Sequence, residues 1–268
     1  MLNRISLLLM KKILVSNIFV IALLITSNPA LAEIVSFKDK DKTWKYDLSN
    51  VLGWKLYIEK SVSNQKDLDK IIKKEVTEGI KRFINVVPKE SLEFLKTIPI
   101  WVSNEPTYPL RENERGVIPF HHDENWLRDH GLNPHMAPGV HVINPEAALV
   151  EHKIFEWGPM TMLHELSHAY HIVHLGYDDP IITKSFTKAM ARGLYLKVPD
   201  RKDKEKLVKA YAASNKAEYF AEATEAYFGH NDWFPHNRKE LKEYDPGGFN
   251  MVEKAWGVNT EEKTKPLK

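Results

Sequence analysis

The chain has 268 residues and no cysteine, with 38 Lys and Arg side chains against 36 Asp and Glu side chains, for a formal net charge of +2. Three of the basic side chains and none of the acidic ones lie in residues 1–32, so residues 33–268 carry 38 − 3 = 35 basic and 36 acidic groups in a mixed pattern. This balance argues against nucleic acid or a membrane surface as the partner, and without cysteine we expect neither a disulfide nor a lipid-modified thiol.

Residues 1–32 have the pattern of a secretory signal peptide. Lys11 and Lys12 precede an apolar run over residues 13–25, and an Ala-x-Ala cleavage site ends at Ala32. The apolar run is short for a membrane span. We therefore expect cleavage near Ala32, a secreted or periplasmic location and no stable membrane association afterwards; an uncleaved anchor is the alternative.

Three short apolar segments in the first half of the chain alternate in the manner of β-strands. They are residues 34–37, 54–58 and 98–102. Between the second and the third, residues 66–87 carry apolar side chains at helical spacing, which predicts a long amphipathic helix that ends before Pro88.

Residues 103–138 are rich in Pro, Asn, His and charged side chains, which predicts a long loop region with a short helix near 126–130. Residues 140–143 alternate as a strand again. This strand is either a sheet edge that pairs with an extended substrate backbone or an ordinary internal strand. The rest of the chain has helical patterns, at residues 145–155, around residue 164, and at 181–193, 201–213 and 216–228.

Strands early in the chain and helices late predict an α+β fold with a small N-terminal sheet and a mostly helical C-terminal half, arranged as two lobes around a cleft. After the predicted signal peptide, we divide the chain into an N-terminal α+β region (33–145), a helical region (146–259) and a flexible polar tail (260–268).

The helix around residue 164 contains an HExxH motif formed by His164, Glu165 and His168. Residues four apart lie on one face of a helix about one turn apart, so both imidazoles can reach a single tetrahedral metal ion with the Glu beside its bound water. The residues around the motif are uncharged, as expected for a helix that is buried except on its His/Glu face. The alternative is a pair of histidines packed in a core, but the spacing favours a zinc site.

A catalytic zinc ion has three protein ligands, so a third ligand must join the two histidines. His174 has the spacing of the third His in HExxHxxGxxH enzymes, but His171 occupies the position of the Gly that lets the chain turn back there. An unbroken helix would direct His174 about 80° away from the ligand face and place His171 a full turn beyond His168. We expect both to lie in or under the wall of the cleft.

The last predicted helix offers carboxylates instead. Glu218, Glu222 and Glu225 stand at i, i+4 and i+7 on one face, where three like charges destabilise a helix unless a cation or hydrogen-bond donors compensate. Zinc with its imidazoles would compensate. The alternative is a helix cap from Asn215 to Glu218 with the other two acids in solvent, and the spacing leaves both interpretations open.

Taken together, the two motifs resemble a known family. The sequence His164-Glu-Leu-Ser-His168, followed by Tyr211 and then by Asn215-Lys-Ala-Glu-Tyr-Phe-Ala-Glu222, is similar to the anthrax-toxin lethal-factor-like peptidases among the gluzincin zinc metallopeptidases. The resemblance covers about residues 155–230 and says little about residues 33–130.

The resemblance implies a zincin-like two-lobe peptidase fold in which Glu218 is the third zinc ligand beside His164 and His168. It also implies that Tyr211 faces the metal and that Glu222 supports the ligands without binding the metal itself. The chain departs from the family pattern at Thr224-Glu225, and it lacks the further domains of the toxins.

We therefore expect a secreted, zinc-dependent metallopeptidase that hydrolyses peptide bonds of a peptide or protein substrate with Zn²⁺ as its cofactor. Glu165 would take a proton from the attacking water, and the Tyr211 hydroxyl would stabilise the oxyanion. The alternative is a secreted zinc-binding protein without catalysis that recruits a partner through the loops near Trp126 and Trp233. The presence of Glu165 counts against it, since a structural zinc needs no group that activates water.

Overall fold

The computed structural model describes residues 33–111, 115–201 and 203–258, apart from the side chain of Trp157. The predicted signal peptide with its cleavage site and the tail 260–268 lie outside these residues. Within the described ranges, no helix combines the length and the apolar character that crossing a membrane requires.

In the described part of the chain, six strands form the main sheet in the order β1-β2-β3-β4-β6-β5. The strands are β1 (Glu33–Asp39), β2 (Lys42–Val51), β3 (Trp54–Glu59), β4 (Ile100–Ser103), β5 (Phe120–His121) and β6 (Gly139–Ile143). β4 runs parallel to β3 and β6, and the other neighbours are antiparallel. The predicted strand at 140–143 is therefore internal, and the sheet edge next to it is the short antiparallel strand β5.

The described ranges contain ten α-helices, and six of them follow residue 145, in the helical half. They are α1 (Lys60–Ser63), α2 (Lys66–Lys81), α3 (Lys89–Leu95), α4 (Glu124–Asp129), α5 (Ile154–Trp157), α6 (Thr161–Ala169), α7 (Pro180–Ala191), α8 (Lys216–Phe228), α9 (Arg238–Tyr244) and α10 (Pro246–Ala255). Short 3-10 turns occupy Pro134–Met136 and Tyr211–Ala213, and π-helical turns occupy Glu146–Glu151 and Tyr170–Gly176. A small hairpin joins β7 (Val198–Pro199) and β8 (Leu207–Val208).

The two faces of the sheet have different coverings because side chains alternate along each strand. Val102 and Val142 point into the main apolar core, which also contains residues of α2, α6 and α8. Trp101 points the other way, into a smaller cluster with Tyr46 and with Leu127 of α4. The metal-motif helix α6 is therefore held under the sheet by the main core, and α4 covers the opposite face.

The predicted α+β organisation, with an N-terminal sheet and a helical C-terminal half, is confirmed. The strands expected at 34–37 and 54–58 and the helix at 216–228 are also confirmed. The long helix expected over 66–87 ends at Lys81, after which the chain continues in turns closed by bonds such as Val86 N–H to the Phe83 carbonyl, 3.0 Å.

The helix predicted at 201–213 is wrong. Residues 198–208 form the β7–β8 hairpin instead, and only Tyr211–Ala213 make a single 3-10 turn. Asp side chains close this hairpin, since Asp200 accepts from the Asp203 N–H at 3.1 Å and Asp203 accepts from the Glu205 N–H at 3.1 Å. Such local side-chain bonds compete with helical backbone bonds, and here they outweigh the helical pattern of the sequence.

Candidate metal centre

Both motif histidines lie on α6, which begins after the Gly158 turn, where the Thr161 hydroxyl donates to the Gly158 carbonyl at 2.7 Å. Leu163 and Leu166 are fully buried and anchor the opposite side of the helix in the main core. The imidazoles of His164 and His168 lie edge to face with their centroids 4.8 Å apart. Their one-turn spacing therefore brings the two rings to one face of α6, as the motif predicts.

Helix α8 brings a carboxylate to the same point. Its N-terminus is capped by Asn215, whose Oδ1 accepts from the Ala217 N–H at 2.8 Å and the Glu218 N–H at 3.0 Å. Glu218 Oε2 lies 3.1 Å from Nε2 of His164 and 3.3 Å from Nε2 of His168. Two ring nitrogens and one carboxylate oxygen thus converge from two helices.

The other two acids of α8 are buried rather than solvated. Glu222 and Glu225 are each 4% exposed. Glu225 Oε1 lies 2.6 Å from His164 Nδ1, whereas the nearest Glu222 oxygen lies 3.9 Å away. Glu222 is held instead by Asn231, whose side-chain amide donates to its Oε2 at 3.0 Å. The cap at Asn215 is present, but the alternative in which these acids face solvent is wrong.

Charge around His164 explains the titration of these groups. Burial lowers the pKa of His164, but hydrogen bonds to Glu218 and Glu225 outweigh it, and the pKa lies well above its ordinary value. Burial raises the pKa of Glu218, and hydrogen bonds from His164 and His168 reverse this, so that its pKa falls well below the ordinary range. Burial and the neighbouring Glu225 raise the pKa of Glu222. We infer that Glu218 is ionised and that Glu222 retains its proton more readily.

Glu165 is positioned by the sheet edge. Its Oε2 accepts from the Phe120 backbone N–H of β5 at 2.8 Å. Burial raises the pKa of Glu165, and the neighbouring His164 and His168 oppose the shift, as does the Phe120 amide. The carboxylate is therefore a half-buried proton acceptor whose orientation depends on the edge strand.

Tyr211 also reaches this site. It lies in the 3-10 turn before α8, and its hydroxyl donates to Glu218 Oε1 at 3.1 Å. Its ring is near parallel to that of His164, at 23° with centroids 6.3 Å apart. Burial and Glu218 raise the pKa of Tyr211, while a hydrogen bond with Arg111 opposes them. The phenol therefore remains protonated and able to donate at neutral pH.

His171 and His174 lie elsewhere. His171 is fully buried, and its Nε2 lies 3.0 Å from the Tyr177 carbonyl. His174 packs against the rings of Phe94 and Tyr170, with centroids 4.7 and 4.8 Å away. Both stand in the π-helical turn Tyr170–Gly176 that continues α6, where His171 is buried and His174 is exposed.

The site contains buried His and Glu groups that can hold a metal ion. Ligand atoms of His164, Glu165 and His168 lie within 4.8 Å of one another, and so do those of His164, Glu222 and Glu225. The second group uses Nδ1 of His164, where Glu225 is already hydrogen-bonded, and all three of its residues are buried. On the other side of the ring, Glu218 Oε2 faces the Nε2 atoms of both His164 and His168.

Two features of this site are absent from the predictions made from the sequence. Glu225 was visible on the acid face of α8, but the family resemblance pointed to Glu222 as the supporting acid. The Phe120 amide carries no side-chain signal, so its bond to Glu165 could not be read from the residue types.

No family model, curated protein or solved structure matches this chain.

Proposed function

We propose that this chain is a zinc metallopeptidase with a zincin-like two-lobe fold, in which His164, His168 and Glu218 hold Zn²⁺. The observation that carries the proposal is the convergence of both imidazole Nε2 atoms on one Glu218 oxygen, at 3.1 and 3.3 Å, with Glu165 beside them. Two imidazoles and one carboxylate are a donor set that zinc takes in hydrolases, and the Glu225 carboxylate behind His164 suits a metal ligand that must be held in one tautomer. The residues present therefore fit the metal.

Zinc at such a site acts as a Lewis acid and makes water nucleophilic near neutral pH. Glu165 accepts the proton of the attacking water and returns it to the leaving amine. Its raised pKa suits both tasks, because it brings the carboxylate closer to the pH at which it must bind and release a proton. The Phe120 N–H holds one carboxylate oxygen, which leaves the other for proton transfer.

Tyr211 acts as the oxyanion donor in this proposal. Its phenol is protonated at neutral pH and lies one hydrogen bond from the ligand Glu218. Rotation of the hydroxyl towards the substrate would replace that bond with one to the developing oxyanion, an interaction that is stronger in the transition state than in the ground state.

We propose an extended peptide, alone or within a protein, as the substrate. β5 is a sheet edge beside Glu165, so an extended substrate along β5 would lie near the ligands, and it would pair with backbone groups of this edge other than the Phe120 N–H, which stays with Glu165. Backbone pairing to an edge strand selects extended peptides irrespective of most of their side chains. The leader pattern that ends at Ala32 supports action outside the cytoplasm, in a secreted or periplasmic form.

The test is hydrolysis of a quenched random-peptide library by the purified protein. Activity should disappear with a zinc chelator and return with added Zn²⁺. Glu165→Gln should bind zinc with near-normal affinity and hydrolyse the library at least about 10²-fold more slowly. A protein that binds one zinc per chain but cleaves no peptide would support the non-catalytic zinc-binding alternative instead.

A further inference from the structure

A chain of hydrogen bonds crosses the sheet on the face opposite the candidate metal centre. The Ser103 hydroxyl donates to Glu105 Oε1 at 2.7 Å and lies 2.7 Å from His141 Nε2. His141 Nδ1 lies 3.2 Å from Nε2 of His121. The four residues come from β4, the loop after it, β6 and β5, and we refer to them as the His121–Glu105 chain. Ser103 and His141 are fully buried, and His121 is 6% exposed.

The hydroxyl of Ser103 determines which atoms donate and which accept in the His121–Glu105 chain. Because the Ser103 hydroxyl donates to Glu105, its oxygen must accept from the His141 Nε2–H. His141 Nδ1 then carries a lone pair and accepts from the His121 Nε2–H. Burial lowers the pKa of His121 to about 4 and holds the pKa of His141 well below its ordinary value, so both rings are neutral at pH 7. Both imidazoles therefore carry their single proton on Nε2, and the Ser103 hydroxyl proton points to Glu105.

The bond between His121 and His141 joins the side chains of β5 and β6. Strand β5 has only two residues and pairs on one side only, with Phe120 opposite Val140 and His121 opposite Gly139. A slip by one residue would exchange the faces of Phe120 and His121, because side chains alternate along a strand. His121 would then lose its bond to His141 and enter an apolar core, where an unpaired imidazole is costly. The backbone bonds from the His141 N–H to the Pro119 carbonyl and from the Ile143 N–H to the Val117 carbonyl, both 2.9 Å, hold the same register before β5, and the side-chain bonds of His121 add to them at its C-terminal end.

The register of β5 determines where Glu165 is held. Phe120 precedes His121 directly, and its backbone N–H, 2.8 Å from Glu165 Oε2, points away from β6. We propose that His121 and His141 are positioning residues, which fix β5 so that the Phe120 amide orients the Glu165 carboxylate. This inference rests on the proposed peptidase function for the role of Glu165. Neither histidine touches the reacting groups, so their effect passes through the strand.

The experiment compares three variants of the full mature chain. His121→Leu removes the donor, His121→Gln retains an amide donor near the Nε2 position, and His130→Leu is the matched control. His130 shares the aromatic neighbour Trp126 with His121, at centroid distances of 3.9 and 5.7 Å, but its ring bonds the Trp126 carbonyl and not the His121–Glu105 chain. Amide hydrogen exchange of the peptide around residues 117–122, zinc content, kcat and KM are measured for each.

His121→Leu should speed exchange in this peptide by about tenfold, since a buried hydrogen bond is lost and its acceptor on His141 is left unpaired. Its kcat/KM should fall by about as much while one zinc per chain is retained. His121→Gln should recover most of both losses, and His130→Leu should resemble the unaltered protein. A purely packing role for His121 would make the Leu and Gln variants alike.

Unchanged exchange around 117–122 in His121→Leu would overturn the proposal, and so would a Gln variant as impaired as the Leu variant. If the Leu variant does not fold, nitrogen chemical shifts of the unaltered protein decide, because both rings must be neutral with the proton on Nε2 at pH 7. A protonated ring, or a neutral ring with its proton on Nδ1, at either His121 or His141 would refute the proposed hydrogen-bond chain. Absence of hydrolysis by the unaltered protein would count against the peptidase proposal alone, since exchange measures the anchoring of β5 independently.

Discussion

Replacing Glu225 by Gln tests the arrangement behind His164. The carboxylate lies 2.6 Å from His164 Nδ1 in a buried environment, so it holds a proton on Nδ1, and Nε2 would be available to a metal ion once its own proton is released. Gln has nearly the same size and can still accept a bond through its carbonyl, but it lacks the charge. The change therefore removes the electrostatic part of the contact and leaves the packing in place.

The expected loss is in zinc affinity. Removing a group that supports a metal-bound histidine lowers affinity by about 10- to 100-fold, which corresponds to about 1.4–2.7 kcal/mol. Glu222 cannot replace Glu225 without cost, because its nearest oxygen lies 3.9 Å from Nδ1 and its other oxygen accepts from Asn231 at 3.0 Å. The gain in melting temperature on adding zinc should shrink by roughly 3–10 °C, at about 2–4 °C per kcal/mol for a domain of this size.

The assay is competition for zinc against a chromophoric chelator of known affinity, with thermal melts at fixed zinc concentration. Glu222→Gln is the matched control, since it removes an equally buried acid from the same helix face that makes no close contact with His164. Its zinc affinity should change by less than about threefold, within the range of an indirect effect. Equal zinc affinities for the unaltered protein and Glu225→Gln would refute this assignment, as would a larger loss in Glu222→Gln than in Glu225→Gln.

Three further predictions concern the ligands and the chemistry. Glu218→Ala should lose stoichiometric zinc while His174→Ala keeps it, as measured by metal analysis after dialysis; the reverse pattern would make the ligand set wrong. Glu165→Gln should retain zinc and lower kcat by at least about 10² to 10⁴, and near-normal turnover in the peptide assay would reject its role as the base. Tyr211→Phe should lower kcat by roughly 10 to 10³ at saturating zinc with little change in melting temperature, whereas an unchanged kcat would return Tyr211 to a packing role.

Periodicity predicted the parts of the fold whose stability comes from burial. The helix at 216–228 was expected at the same residues because apolar and aromatic side chains interleave with the acids along its whole length. The failure at 201–213 has a local cause, since Asp200 and Asp203 close turns with their side chains and Leu207 is exposed rather than packed in the core. The position of β5 could not be predicted, because a strand of two residues has no periodicity.

At the site, the sequence was informative where two groups belong to one helix. Spacing within α6 predicted that His164 and His168 share a face, and their rings do lie 4.8 Å apart. Contacts between elements depend on how the helices and the sheet pack, which spacing does not encode. The bond from Phe120 to Glu165 and the chain from His121 to Glu105 are both of this kind.

The choice between Glu222 and Glu225 also depends on packing that residue spacing does not encode. At 100° per residue, positions i+4 and i+7 differ by about 60° around a helix, so from spacing alone either acid can follow Glu218 towards a neighbour on α6. The distances of 2.6 and 3.9 Å from His164 Nδ1 distinguish them, and Asn231 holds Glu222 to one side. A motif that ends at Glu222 therefore omits Glu225, the residue that contacts His164 Nδ1. In this chain the departure from the family pattern at Glu225 falls at the point where the structure makes its closest contact with a proposed metal ligand.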